Sequence, residues 1–185
     1  MAALQVVLAL AALMLHTHVT GIAVDATPVP TLTVTATPVA APAPQTHLAD
    51  SPQSILFEGL NAERAKAGLP LLGYDSRLEQ AGELRVADMV AAGVISHRSP
   101  DGMEYPQAIA AAGVTNYAWA GENIYATNEV ATVEEAAARG VWRFMGSAPH
   151  RAIILDPAFD HVGIGVGPGE NGVWMFAVIF LGGER

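Results

Sequence analysis

Apolar residues recur at helical spacing in several segments of the chain after residue 50. The first segment starts at Ser51 and Pro52, an N-cap followed by a proline at the first helical position, and stops at Gly68. The second starts at Ser76, three residues before a glutamate in the pattern of a capping box, and stops at Gly93. We predict an amphipathic helix over each of these segments.

Three shorter helices are predicted further along the chain. One covers Tyr105 to Ala112 and ends before a glycine. Another begins at Thr132, which opens a second capping box, and continues to about Met145. A short helix then begins near His150, with Ser147 as its expected cap.

The pattern changes to that of strands in the last third of the chain. Short candidates lie at 123–127 and 162–167, and a long apolar run rich in aromatic and β-branched residues covers 173–181. The glycine-rich stretch 168–172 between the last two is typical of a hairpin connection. Helices followed by an antiparallel hairpin predict an α+β fold with helices packed on a small sheet.

The first 50 residues do not share this pattern. Residues 1–15 are almost wholly apolar, and small residues at 21–23 suit cleavage by a signal peptidase. We predict that residues 1–23 are a signal peptide, with an uncleaved N-terminal membrane anchor as the alternative. Either way, the domain at residues 51–185 would lie outside the cytoplasm.

Residues 24–50 are rich in threonine, proline, alanine and valine and contain no lysine or arginine. Such a composition offers few side chains for a core, and its prolines supply no backbone donors. We predict a disordered linker that behaves as an extended spacer.

Composition narrows the class of protein and its partners. The chain of 185 residues has no cysteine, so as an exported protein it resembles a bacterial product more than a disulfide-rich animal one. Nine basic and sixteen acidic side chains follow residue 50, a net charge of −7. An acidic domain without a basic stripe argues against nucleic acid as a partner, and membrane contact is expected only through the N-terminal anchor.

Two histidines and one glutamate are the candidate functional residues of the domain. His97 and His150 lie in polar segments, and Glu122 follows a glycine beside a predicted strand. Two imidazoles and a carboxylate are the minimum for a zinc-type metal site, but also for a carboxylate that orients a proton-transferring histidine. Spacing alone leaves both interpretations open.

A family resemblance rests on many short motifs in order. The chain carries Asn61 and Arg64, Ser96–His97, Asp101–Gly102, Gly121–Glu122–Asn123–Ile124, Ser147 with His150–Arg151, and Val162–Gly163–Ile164–Gly165. In this order and spacing the sequence resembles the bacterial branch of the CAP superfamily of pathogenesis-related and cysteine-rich secretory proteins, over about residues 54–181. The resemblance implies a three-layer α-β-α sandwich with a central antiparallel sheet and a cleft lined by histidine and glutamate.

The resemblance also assigns cleft positions. It implies that His97, Glu122 and His150 are ligands of a divalent cation, with Zn²⁺ preferred and not required for folding. The second cleft glutamate of animal and plant members corresponds to Ser147 here. The residues around Ser147 do not form a Gly-x-Ser-x-Gly elbow, so we interpret it as a helix cap rather than a nucleophile.

Three functions are compatible with these features. The leading hypothesis is an extracellular binding module whose cleft takes a divalent cation and a small or lipid-like ligand. The first alternative is an extracellular hydrolase of peptide or cell-wall material, with Glu122 and a cleft histidine, His97 or His150, as acid and base. The second is an adhesive or structural module at the cell surface.

Residues outside the cleft receive structural interpretations. Trp119, Trp142 and Trp174 are predicted to be core or near-core, and His161 is predicted to lie at the surface. Arg64 is predicted to make structural hydrogen bonds, with a pairing to a cleft carboxylate as the alternative.

Overall fold

The computed structural model describes residues 51–183, so the predicted signal peptide and linker, residues 1–50, lie outside the described residues. The described elements, in chain order, are α1 (Pro52–Lys66), β1 (Gly73–Tyr74), α2 (Ser76–Ala92), α3 (Tyr105–Ala111), β2 (Trp119–Thr127), α4 (Val133–Gly146), α5 (Ala148–Ile154), β3 (His161–Pro168) and β4 (Trp174–Gly182). Within residues 51–183, no helix is both long enough and apolar enough to cross a membrane.

The sheet is mainly antiparallel, as predicted. Its strand order is β1-β3-β4-β2, and β4 pairs antiparallel with both of its neighbours. The two residues of β1 pair parallel with β3; this strand was not predicted because two residues carry no periodic pattern. Strand β2 begins at Trp119, four residues before the predicted start at 123, because its first residues also pair with the end of β4.

The central strand separates two apolar layers. On β4, Phe176, Val178 and Phe180 pack with α1, α4 and α5. The alternate positions of the same strand, Ile179 and Leu181 among them, pack against α2 and α3. Because successive side chains of a strand point to opposite faces, one buried strand serves both layers. The predicted three-layer α-β-α sandwich is thereby confirmed.

Two glycines of β3 bring α2 close to the sheet. A Cβ atom at Gly163 would collide with the backbone of α2 at Leu78 and Glu79, and one at Gly165 would collide with the backbone at Gly82. Helix and strand therefore touch backbone to backbone, with no room for a methyl group between them. This contact fixes the distance between α2 and the sheet. It thereby determines which side chains of α2 can contact β2.

The helix caps follow the predictions in part. Ser51 and Thr132 cap α1 and α4 with their side chains, as predicted. The cap of α2 is Asp75, one residue before the predicted Ser76, because its carboxylate reaches the backbone of the first turn. Ser147 stands at the N-cap position of α5, but its side chain makes no capping hydrogen bond.

The tryptophan predictions were right for one residue of three. Trp174 is partly buried against the core, whereas the exposed fractions of Trp119 and Trp142 are 61% and 67%. Helix α4 buries the face that carries alanine, glycine and Phe144, so Trp142 points away from the sheet. The guanidinium of Arg143 lies 5.5 Å from the centre of the Trp142 ring, which partly covers the exposed indole.

Candidate functional site

Glu122 is the central residue of the predicted cleft. Its position on β2 turns its side chain toward α2, where Arg85 donates from Nε to Oε1 over 2.8 Å. The exposed fraction of both side chains is 0%. Two charges buried at this distance compensate each other, and the guanidinium geometry suits a carboxylate acceptor. Glu122 is therefore held from the helical layer as well as by its own strand.

The second oxygen of Glu122 contacts His97. The distance from Nδ1 of His97 to Oε2 is 2.7 Å, and the His97 side chain is 58% exposed. A carboxylate can only accept, so Nδ1 carries the proton and, in the neutral ring, Nε2 carries a lone pair. This is the arrangement by which a carboxylate orients a metal-binding or proton-accepting histidine.

His150 approaches the same strand from the other side of the sheet. Its ring packs edge-on against Phe144, with 5.3 Å between the ring centres. Asn123, which follows Glu122, donates from Nδ2 to the carbonyl oxygen of His150 over 3.1 Å. Adjacent residues of one strand point to opposite faces. Glu122 thus contacts the ring of His97 on one face of β2, and Asn123 contacts the backbone of His150 on the other face.

The two histidines are close enough to interact electrostatically. Burial lowers the pKa of His150 below its ordinary value, and the charge of His97 lowers it further. At neutral pH His150 is therefore a neutral imidazole with a lone pair available.

We expect His150 to titrate below the ordinary pKa of 6.5. The folded state then binds a proton at His150 less readily than the unfolded state does. The free energy of unfolding should therefore decrease as the pH falls from 6.5 toward the folded pKa of His150. At higher pH this residue should not change the free energy of unfolding. A ¹³C-edited NMR titration measures the pKa directly. The His150→Gln variant should lose less stability than the parent across that window, and a His150 pKa at or above 6.5 would contradict the assignment.

A direct metal role for Glu122 meets a specific obstacle. Both of its carboxylate oxygens already accept hydrogen bonds, from Arg85 and from His97. Among the described residues, no group of three histidine, cysteine, aspartate or glutamate side chains is arranged to hold a metal ion. Imidazole nitrogen, with a carboxylate orienting one of the two rings, is nevertheless the type of donor that suits a cation such as Zn²⁺. The three-residue ligand set of His97, Glu122 and His150 stays a prediction.

The structure adds Arg85 and Tyr105 to the residues predicted from sequence. Arg85 falls on the stripe of α2 that also contains the buried residues Leu78 and Met89, and an arginine among core positions is the signal that could have revealed it. Tyr105 lies near Glu122: burial raises the pKa of its hydroxyl, and the Glu122 charge raises it further. Both residues belong to the α2–α3 side of the cleft.

Arg64 does not take part in the cleft. Its guanidinium is fully buried and donates to carbonyl oxygens of four residues, namely Pro70, Ile154, Asp156 and Phe159. The predicted structural role is confirmed. These bonds tie α1 to the segment between α5 and β3, and so help to place the helix that carries His150.

The sandwich and its histidine–glutamate cleft define the class of protein. The sequence model of the CAP family, described as the Cysteine-rich secretory protein family, matches residues 57–180. The chain therefore belongs to the CAP family.

Particular relatives agree with this assignment. The uncharacterized protein YkwD of Bacillus subtilis is 34% identical over 110 residues, which are 60% of this chain and 40% of YkwD. An extracellular SCP-domain protein of Bacillus anthracis is 25% identical with a TM-score of 0.60, over 71% of this chain and 40% of that one. The chain thus spans less than half the length of these two relatives.

More distant structures show the same fold. An outer surface protein of Borrelia burgdorferi has a TM-score of 0.61 at 18% identity, over 71% of this chain and 92% of that one. NaASP2, solved with Zn²⁺, has a TM-score of 0.54 at 11% identity, over 74% of this chain and 82% of that one. These two likenesses concern the fold.

Proposed function

We propose that the cleft binds a divalent cation through Nε2 of His97 and the ring of His150, with Glu122 orienting His97. The observation that carries this proposal is the 2.7 Å contact between Nδ1 of His97 and the buried carboxylate of Glu122. It leaves Nε2 as the nitrogen of the neutral His97 ring that carries a lone pair.

The chemistry of the two histidines favours Zn²⁺ over a hard cation. Neutral imidazole is a good ligand for zinc, whereas Ca²⁺ and Mg²⁺ prefer several oxygen ligands. The lowered pKa of His150 keeps its ring neutral at neutral pH. Two protein nitrogens leave coordination positions for water or a small ligand, whose oxygen the ion would polarise. The likeness to NaASP2 concerns the fold alone, so the proposal rests on these local contacts.

The setting of this activity is proposed to be outside the cell. The support comes from the apolar segment and small residues at 1–23 and from the extracellular description of the B. anthracis relative. A small or lipid-like molecule that reaches the open coordination positions is the proposed ligand class of the cleft.

Calorimetric titration of the chain with Zn²⁺ near neutral pH tests the cation site. We expect a dissociation constant on the order of micromolar, lost when His97 and His150 are both replaced by alanine. His161→Ala is the matched control, because His161 is a partly exposed histidine that pairs with Asp160 away from the cleft. Equal binding by the double variant and the parent, or no binding by the folded parent, would refute the proposal.

One observation also supports a hydrolase. A carboxylate bonded to Nδ1 of a histidine is the usual way to align a general base, and Nε2 of His97 could then take a proton from water or from a substrate. This candidate assigns His97 as the base and Glu122 as its orienting partner. Turnover of a peptide or cell-wall substrate that persists after chelation of metal would favour it over cation binding.

A further inference from the structure

Arg85 donates its three shortest hydrogen bonds in three directions on the α2 side of the cleft. Nε donates to Glu122 over 2.8 Å, Nη1 donates to the hydroxyl of Ser99 over 2.7 Å, and Nη2 donates to the carbonyl of Ser96 over 2.8 Å. The exposed fraction of the Arg85 side chain is 0%. A planar guanidinium with bonds along three directions has one orientation available, and this orientation fixes the carboxylate of Glu122.

Ser99 extends this network to a second carboxylate. Its hydroxyl accepts from Arg85 and donates to Oδ2 of Asp88 over 2.9 Å, and the Ser99 residue is 8% exposed. The same Oδ2 lies 3.4 Å from Nη1 of Arg85. A continuous row of contacts therefore runs from Asp88 through Ser99, Arg85 and Glu122 to His97, and the cleft histidine is its last member.

We infer that Arg85 is a positioning residue of the cleft: held by Ser99 and Asp88, it fixes Glu122 so that His97 keeps its proton on Nδ1 and presents Nε2 to a ligand. In water, neutral histidine prefers the tautomer with the proton on Nε2, which cannot bind a cation through that atom. The network reverses this preference. Its role in cation affinity rests on the proposed function, whereas its effect on the tautomer does not.

A purely structural network would behave differently. It would hold the segment that carries Ser96 and Ser99 against α2, and its loss would lower stability without changing the tautomer of His97. The ¹⁵N shifts of the imidazole nitrogens separate the two cases, since protonated and unprotonated ring nitrogens differ widely in shift.

The test uses Ser99→Ala in the full ¹⁵N-labelled chain, at a pH where the histidines are neutral. We expect a single Nδ1–H form of His97 in the parent and a mixture with a substantial Nε2–H population in the variant. Affinity for Zn²⁺ should fall about tenfold, the lower end of the range for residues behind a metal ligand. Thr115→Ala, which removes an exposed hydroxyl before β2, should leave the tautomer and the affinity unchanged.

A folded Ser99→Ala variant whose His97 stays in the Nδ1–H form would overturn the inference. If Ser99→Ala does not fold, Asp88→Ala carries the same expectation, since it removes the acceptor of Ser99 at a side chain that is 26% exposed. A tautomer shift in a chain whose parent binds no Zn²⁺ would refute the proposed cation site and leave the role of Arg85 standing.

Discussion

Replacement of Glu122 by alanine is expected to lower the free energy of unfolding by about 3 to 5 kcal/mol, the usual cost of breaking a buried ion pair from one side. The cause is Arg85, whose fully buried guanidinium would lose its closest charged partner. Asp88 lies farther away and is already bound to Ser99, so its compensation is incomplete. Urea denaturation followed by circular dichroism measures the change.

His97→Ala provides the comparison for this experiment. It removes a contact to the same carboxylate, but the His97 side chain is 58% exposed and water can replace it. We expect a loss of about 1 kcal/mol or less, typical of a hydrogen bond that water can re-form. Joint replacement of Arg85 by Met and Glu122 by Leu should recover much of the stability, since no buried charge is then left unpaired. Similar losses for Glu122→Ala and His97→Ala would contradict this prediction. They would show that leaving the buried Arg85 charge without its carboxylate costs no more stability than removing an exposed hydrogen bond.

The contrast between these residues shows what a sequence can say about a site. The sequence selects His97, Glu122 and His150 as candidates, because each stands in a recognisable motif. It does not distinguish a metal ligand from an orienting carboxylate at Glu122, since the two have the same spacing along the chain. The contact that bears on this question is with Arg85, which is 37 residues away in sequence and 2.8 Å away in space.

The fold was easier to predict than the roles of individual residues. Helix starts such as Thr132 depend on contacts within one turn, and the glycine that ends α2, Gly93, has the positive φ of 63° that its position requires. The long apolar run of β4 indicates a strand that is buried on both faces, and the structure places its alternate side chains in two core clusters. By contrast, the outward direction of Trp142 depends on which face of α4 meets the sheet, and a large apolar residue does not reveal this by itself.

The second large effect is expected at Arg64, on the opposite side of the sheet from Arg85. Replacement of Arg64 by methionine should lower the free energy of unfolding by about 3 kcal/mol or more, because buried carbonyls would lose their donors at about 1 to 3 kcal/mol each. The carbonyls of Ile154 and Phe159 are bonded to Arg64 inside the buried core. Burial lowers the pKa of Arg64, while the charges of Asp156 and Asp160 raise it.

Arg143→Met is the matched control for Arg64, because it makes the same change at an exposed pair with Glu129. That pair should contribute less than about 1 kcal/mol. Arg64→Lys should recover only part of the loss, since one ammonium group cannot reach carbonyls that lie along several directions. Arg64 bonds to Ile154, the last residue of the helix that carries His150, so folded Arg64→Lys protein should also bind Zn²⁺ more weakly. If Arg64→Met and Arg143→Met cost the same, water satisfies those carbonyls and α5 is held in place by its apolar contacts alone.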